Sequence, residues 1–447
     1  MVRIIPGVEV KVVKEIIPPP AYPSGTAALI GTAEKGPELT PIHLGSWREF
    51  VDTFGASTDY TLTLNAKQCF QNGVFEVVAT RIVGKGGDYA KATLQDGEKA
   101  DAVELTAKPI GVAGNNIKYQ VESGSTENTV RLLLSDGVTF EVFDDLVADA
   151  RSNKNIVKVL NESSQLVAAK ALKSKSLPAK VEAALKGGKQ PGEPDVTSYE
   201  AALERLEAEP EVEIVYACET YDPKVHALVE AHCVNMSQEA MGRIGVGCVA
   251  PGEDIKEAIK RTEALASDRF IIVAPYGISG AVAGLIGNLE YFQSPTFKPI
   301  RGISEIEAAY TPSQLRQLLN AGILPLRAQR GRGIIVVKGI STSKEQISVI
   351  RTTDHAVRLV KAIGDQFIGT LNNATGRSAL KEKLTEVLLQ MEKEGAIVPS
   401  TDGTEPAFIV DVYSSQLDFA QGIVRVDLAV RPVRAIDYIY ATVTVQA

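Results

Sequence analysis

Long apolar runs are missing from this chain of 447 residues. None approaches the roughly 20 consecutive apolar residues that a membrane-spanning helix needs, so no membrane insertion is expected. The opening MVRIIPGVEV has neither the charged start nor the apolar stretch of a secretory signal. Cysteine is scarce: Cys69, Cys218, Cys233 and Cys248 stand far apart, with no C-x-x-C pair, and read as reduced thiols in a cytosolic product. Histidine is equally scarce, at His43, His226, His232 and His355. His226 and His232 are six apart and share no helix face as an i, i+4 pair would, so no metal site is expected. A basic excess is also lacking. Lys and Arg number 47 against 55 Asp and Glu, a net charge of -8, which argues against a general nucleic-acid binder. Phosphate loops fail on context: the glycines of Gly242–Gly247 run into a strand rather than out of one, and GKGGDY (Gly84–Tyr89) lacks P-loop spacing. No cofactor is called for.

What is present is a mixed α+β pattern in several parts. Residues 1–20 read as an N-terminal arm: Val8, Val10 and Val12 alternate with Glu9 and Lys11, then Pro18, Pro19 and Pro20 stop the strand and stiffen its exit. Residues 21–87 read as an α/β segment, with a buried strand in GTAALIG, a helix in SWREFVDTFG capped by Ser46 and ended by Gly55, and a second strand in FEVVATRIVG. Residues 88–180 read as a small β-sandwich or barrel module of short strands split by turns such as Gly114-Asn115 and Asp136-Gly137, with a helical stretch near 144–150. KGGKQPGEPD (Lys186–Asp195) reads as a linker. Within 181–330, helices alternate with VEIVYACE, RIGVGCVA and RFIIVAP, which predicts parallel strands with helical crossovers. Residues 331–447 read as an α+β domain: the strand GIIVVKGIS, two helices near 344–367 and 377–394, then AFIVDVYS, GIVRVDLAVRPV and the terminal IDYIYATVTVQA. The last stretch alternates like a strand and has no hairpin partner after it.

An α/β region invites an enzyme reading. YGISGAVAG (Tyr276–Gly284) places Ser279 at a strand-to-helix turn, where backbone N–H groups favour an anion. A serine nucleophile needs a histidine and a carboxylate; His226 with Asp195, Asp222 or Asp254 are the candidates, and none lies in a recognisable motif. The competing reading makes Ser279 a helix N-cap, with Gly280, Ala283 and Gly284 permitting close helix packing. No catalytic residue is assigned; a serine hydrolase using Ser279 stays as the alternative.

Taken in order, the motifs resemble those of contractile tail sheath proteins of myophages, R-type bacteriocins and related injection systems. The resemblance is carried by PGVEV (Pro6–Val10), ALIGTAEKGP (Ala28–Pro37), WREFVDTFG, LTLNAKQCFQNG with FEVVATRI, SGAVAG (Ser279–Gly284), LRQLLNAGILPLR (Leu315–Arg327), GRGIIVVKGISTS and VRVDLAVRPVRAIDYIYATVTV. It spans nearly the whole chain and departs at Asn288-Leu-Glu290 and Ser294-Pro-Thr296, where many members carry Arg-x-Asp and Ala-Pro-Ala. The resemblance implies a subtilisin-like middle domain without proteolytic use and a C-terminal α+β sheath domain with extended arms. It implies a virion tail or contractile particle assembled in the host bacterial cytoplasm, phage or prophage. The subunit would polymerise as stacked hexameric rings around an inner tail tube protein, with baseplate and tail terminator proteins as further partners. Arms would link neighbours by strand addition through Val8, Val10 and Val12 at one end and Tyr438, Tyr440, Val443 and Val445 at the other. Hinges are expected at Pro18–Pro20 and at Arg431, Pro432 and Arg434. Arg351, Arg358 and Lys361, at i, i+7 and i+10, are either a tube-facing basic strip or a solvated helix face. Another self-assembling phage structural protein is the second alternative.

Overall fold

The computed structural model describes residues 24–438 and 440. The chain divides into two units: residues 24–355 with the tail from Pro432, and residues 356–431. The arm residues Val8, Val10, Val12, Pro18, Pro19, Pro20, Val443 and Val445 lie outside the described residues. No helix among those described is long and apolar enough to cross a membrane.

The larger unit begins with β1 (Thr26–Gly31), β2 (Ile42–Leu44), α1 (Trp47–Phe54), α2 (Thr61–Gln71) and β3 (Val77–Arg81). A β-rich stretch follows: β4 (Tyr89–Gln95), β5 (Asp101–Ile110), β6 (Lys118–Ser123), β7 (Val130–Ser135), β8 (Phe140–Leu146), α3 (Ile156–Ser163), β9 (Val167–Ala171) and β10 (Val181–Ala184). The α/β rhythm resumes with α4 (Val196–Leu206), β11 (Val212–Ala217), α5 (Pro223–Gln238), β12 (Ile244–Cys248), α6 (Ile255–Glu263), β13 (Phe270–Ala274), α7 (Ser279–Asn288), α8 (Pro312–Asn320), β14 (Ile323–Gln329) and β15 (Gly333–Val336). α9 (Ile347–Phe367) carries the chain into the smaller unit, which adds α10 (Ala374–Lys393), β16 (Phe408–Tyr413), α11 (Gln416–Ala420) and β17 (Arg425–Val430).

Eight strands form one sheet in the order β15-β14-β13-β12-β11-β1-β3-β2. The six central strands run parallel, as the alternation of strand and helix predicts for β11, β12 and β13; β2 and β15 close the ends antiparallel. Residues read from sequence as three separate segments thus share one sheet. Parallel strands bury both faces, and β1 and β13 are buried throughout. Successive residues serve opposite cores. Ala27 and Leu29 pack with Phe50 and Phe54 of α1, Leu62 of α2 and Val282 of α7. Ala28 and Ile30 pack with Leu203 of α4, Val229 of α5 and Leu318 of α8. Caps fix where helices start: Ser46 accepts from the Glu49 amide, and Gly55 ends α1 at φ 92°, both as predicted.

Between β3 and α4, the sheets β10-β6-β7-β8 and β4-β5-β9 enclose a core of their own. The helix expected near 144–150 is absent. That stretch ends β8, and the helix forms later, where the Asn155 side chain accepts from the Val157 and Lys158 amides. Lys186–Asp195 is not a free linker either. Asp88 and Lys189 exchange both backbone hydrogen bonds, as do Lys91 and Lys186, and the Gly192 amide donates to Lys85. Entry and exit of the inserted sheets run side by side.

In the smaller unit, α10 packs Leu380 and Leu384, with Ile363 of α9, against Val410, Val412, Val424 and Val426 on one face of an antiparallel pair. That pair, β16–β17, is a sheet of two strands. The whole is a mixed α+β protein of several sheets, as the sequence predicts.

Candidate functional site

The enzyme reading is tested at α7. Ser279 is its first residue, fully buried, and its Oγ has no hydrogen-bond partner. The cap position belongs to Ile278, which has no capping side chain, so Ser279 does not cap α7 as the sequence suggests. His226 Nε2 lies 3.0 Å from the Thr220 carbonyl, and burial pushes its pKa down to about 4. Asp195, Asp222 and Asp254 each cap a helix, α4, α5 and α6. No Ser–His–Asp chain of hydrogen bonds is assembled here. The glycine-rich start of α7 serves packing. A Cβ on Gly280 would stand 2.5 Å from Asn65 Oδ1, and one on Gly284 would stand 2.6 Å from the Cys69 Cα, so α2 and α7 touch backbone to backbone.

Two motif arginines also turn inward. Arg81, at the end of β3, is 2 % exposed and donates to the carbonyls of Ala33, Gly36 and Ile110 at 2.9–3.2 Å. It ties down the GTAEKGP turn. Arg351, expected on a tube-facing or solvated strip, is 4 % exposed. Its Nη1 donates to Ile286 and Leu289 O at 2.9 Å, carbonyls at the end of α7, and its Nη2 pairs with Glu213 at 3.1 Å. Arg358 is 6 % exposed as well, and only Lys361 of the three is exposed. The first two positions of the i, i+7 spacing face inward, and at Arg351 carbonyls and a carboxylate supply what solvent otherwise would.

The smaller unit holds a sheet of two strands. Phe408 to Tyr413 pair with Val430 to Arg425, and no third strand among the described residues pairs with either. The outward face carries Ile409, Asp411, Tyr413, Arg425, Asp427 and Ala429, with Ile409 58 % exposed. An isolated two-stranded sheet is marginal in water and leaves a row of backbone donors and acceptors on each side.

Past Arg431 the chain leaves this unit, and Pro432 begins its return to the larger one. The described part of the terminal stretch is not a strand: residues 436–438 and 440 have no ladder partner. A side chain replaces one. Gln346 accepts from the Ala435 amide at 3.0 Å and donates to its carbonyl at 3.2 Å. Asp437 turns inward to Gln346 and Lys338, at 2.7 and 3.1 Å. Ile436, Tyr438 and Tyr440 point outward, 79, 68 and 94 % exposed, so alternation of faces persists without a strand. Arg434 pairs with Glu345 at 2.9 Å.

One feature escapes sequence reasoning. His43 on β2 lies 2.9 Å from Glu76 through Nδ1 and 2.8 Å from Glu209 through Nε2. Among the described residues, His43, Glu76 and Glu211 form the one group with donors close enough for a metal ion. Both ring nitrogens already face carboxylates, so the protonated ring can donate to both. Partial burial opposes the charge, but the hydrogen bonds to Glu209 and Glu76 outweigh it and raise the His43 pKa. Nothing in the one-dimensional spacing of residues 43, 76 and 209 announces this; only the β2–β3–β11 end of the sheet brings them together.

Comparison with known proteins places this architecture. The phage tail sheath protein central domain matches residues 192–342, and the phage tail sheath C-terminal domain matches residues 341–446, together more than half of the chain. No curated protein matches. Among solved structures, the sheath tail protein of Listeria innocua superimposes with a TM-score of 0.71 at 17 % identity, covering 93 % of both chains. That of Desulfitobacterium hafniense gives 0.68 at 18 %, covering 97 % of this chain and 99 % of its own. The contracted helical sheath of the anti-feeding prophage gives 0.58 at 14 %, covering 99 % of both. With both domain families matched in order and the same fold over nearly the full length, the chain belongs to the phage tail sheath family, the structural sheath subunits of contractile tails and injection systems.

Proposed function

We propose that this subunit polymerises as stacked hexameric rings around an inner tail tube, and that arms from neighbouring copies complete its β16–β17 sheet. The observation that carries the reading is that two-stranded sheet, apolar on its packed face and unpaired along both sides among the described residues. Strand addition supplies main-chain hydrogen bonds at such an edge and side-chain specificity at alternate residues. Residues 8–12 and 438–445 have the required alternation. A head-to-tail contact that does not close on itself builds a helical array. Contraction then needs only a contracted packing of lower free energy, with the units moving as bodies and the arms, hinged at Pro18–Pro20 and Arg431–Arg434, keeping neighbours joined. The contracted anti-feeding prophage sheath, similar in fold, supports such an end state. The α/β sheet is read as a subtilisin-like domain used as scaffold, and residues 88–180 as an inserted module. Tube, baseplate and terminator proteins are the expected partners, and Lys361 remains a candidate for the tube. Assembly would take place in the host cytoplasm.

The test is electron microscopy of the purified full chain beside two truncations, lacking residues 1–20 or 436–447. Hollow cylinders from the full chain and folded, non-assembling truncations are expected. Truncations that still form cylinders overturn the role of the arms; closed shells from the full chain overturn the sheath geometry.

A further inference from the structure

We infer that residues Lys338–Arg351 form a common seat for the roots of both arms, so that tension on either arm converges on the start of α9. The inference rests on the strand-donation reading above.

The N-terminal root is Gly25. Its amide donates to Glu213 Oε2 at 3.0 Å, the same oxygen that receives Arg351 Nη2. Arg351 also grips the last carbonyls of α7. Gly25 has φ +98°, and a Cβ there would stand 2.0 Å from the Gly287 carbonyl oxygen, so only glycine lets the chain pass this close to α7. Thr26 Oγ1 adds a hydrogen bond to Glu76 at 3.2 Å.

The C-terminal root is Ala435–Tyr438. Gln346 serves both backbone groups of Ala435, as a neighbouring strand would. Lys338 pairs with Asp437, lies 3.3 Å from the Tyr438 hydroxyl and stands 5.0 Å from the centre of its ring. Arg434 and Glu345 add an outer pair. Every one of these contacts comes from the segment between β15 and the second turn of α9. That segment is itself fixed to the sheet: the Thr342 amide donates to Phe270 O at 2.8 Å, at the start of β13.

The two roots differ in how they hold. The Arg351–Glu213 side chains are 3 and 11 % exposed, whereas those of Arg434 and Glu345 are 64 and 35 % exposed. Salt screens exposed pairs far more than buried ones. The outer Arg434–Glu345 pair is therefore the contact that salt loosens first, while Lys338–Asp437, whose side chains are 22 and 11 % exposed, is better shielded and Arg351–Glu213 is the most shielded of the three. Gln346 and Lys338 act as positioning residues: they set where the donated strand leaves the body.

The test uses the full chain and a Lys338→Met/Gln346→Ala variant. Amide exchange at Ala435 and the protein concentration at which cylinders first appear are measured in low salt and in about 0.5 M salt. The variant is expected to keep the wild-type melting temperature, exchange Ala435 about tenfold faster and need about tenfold more protein to assemble. Salt should reproduce part of this in the wild type. For the N-terminal root, Gly25→Ala should raise the assembly threshold, and Glu213→Gln, which keeps the acceptor for Gly25, should raise it less. Unchanged Ala435 exchange in the folded variant overturns the seat. If the wild type makes no cylinders, strand donation fails, yet Ala435 exchange still decides whether the seat exists.

Discussion

His43 couples three chain segments through a charge that depends on pH. Its pKa is raised above the ordinary 6.5, so its bridge to Glu76 and Glu209 contributes fully below that value and is lost as pH rises through the folded pKa. With the side chain 40 % exposed, screening leaves a contribution of about 0.5 kcal/mol or less. Titration by NMR should place His43 above 6.5, and His43→Gln should flatten the fall in melting temperature between neutral and alkaline pH. An unshifted titration would remove the bridge from the account. Ser279 carries the opposite expectation. A buried hydroxyl without a partner costs free energy, so Ser279→Ala should be neutral or stabilising, by up to about 2 kcal/mol in a thermal melt, and should leave assembly intact. Gly284→Val, by contrast, drives a side chain into the Cys69 backbone and should destabilise by about 3 kcal/mol. These residues show where sequence reasoning stops. Glycine spacing in SGAVAG speaks of helix contact because backbone approach needs small residues at fixed positions. The place of Arg351 among the α7 carbonyls depends on partners some 60 or more positions away, and the burial of Ser279 Oγ without a partner is equally invisible in its local sequence.

At the scale of elements, periodicity was informative wherever one pattern ran long enough. The parallel strands β11 to β13 and their helices follow directly from apolar runs alternating with capped amphipathic stretches. Shorter signals failed. In residues 144–150 the cap-type Asp144 and Asp145 accept from Ser125 and Thr126 instead, while Asn155 starts the real helix, and the Gly-Pro-rich 186–195 stretch is stitched to 85–91 by backbone pairs that composition does not reveal. The β16–β17 pair is the element on which the proposed assembly turns. A two-stranded sheet opens easily when alone, so its amides should exchange rapidly in the free subunit. On assembly, residues 408–413 and 425–430 should become at least about a hundredfold more protected, since added strands bond both edges. Hydrogen exchange of monomer against cylinders reads this directly. Protection that stays the same would mean that neighbours bind elsewhere.

For the whole molecule, the paired entry and exit of the inserted sheets have a consequence for how the chain was put together and how far it can be taken apart. Asp88 and Lys189 exchange both backbone hydrogen bonds, so their Cα atoms stand about 5.5 Å apart, a gap that a two-residue turn closes. The sheets between them have their own core, from Leu94 and Leu105 to Leu132 and Leu160. Their hydrogen bonds and ion pairs to the rest of the larger unit are few among the described residues: the Ile110 carbonyl on Arg81, the Gly111 amide on the Asp88 carbonyl and the Lys35–Asp136 pair. Replacing residues 89–188 with Asn-Gly should therefore leave the eight-stranded sheet folded, with Arg81 keeping two of its three carbonyls and a loss of about 1–3 kcal/mol. The excised stretch, expressed alone, should fold by the same argument. If strand donation through β16–β17 is what builds the array, the shortened chain should also still form cylinders, of smaller outer diameter if these sheets face outward. A shortened chain that folds but no longer assembles would assign the inserted sheets a role in subunit contact, and one that fails to fold would show that the eight-stranded sheet depends on them.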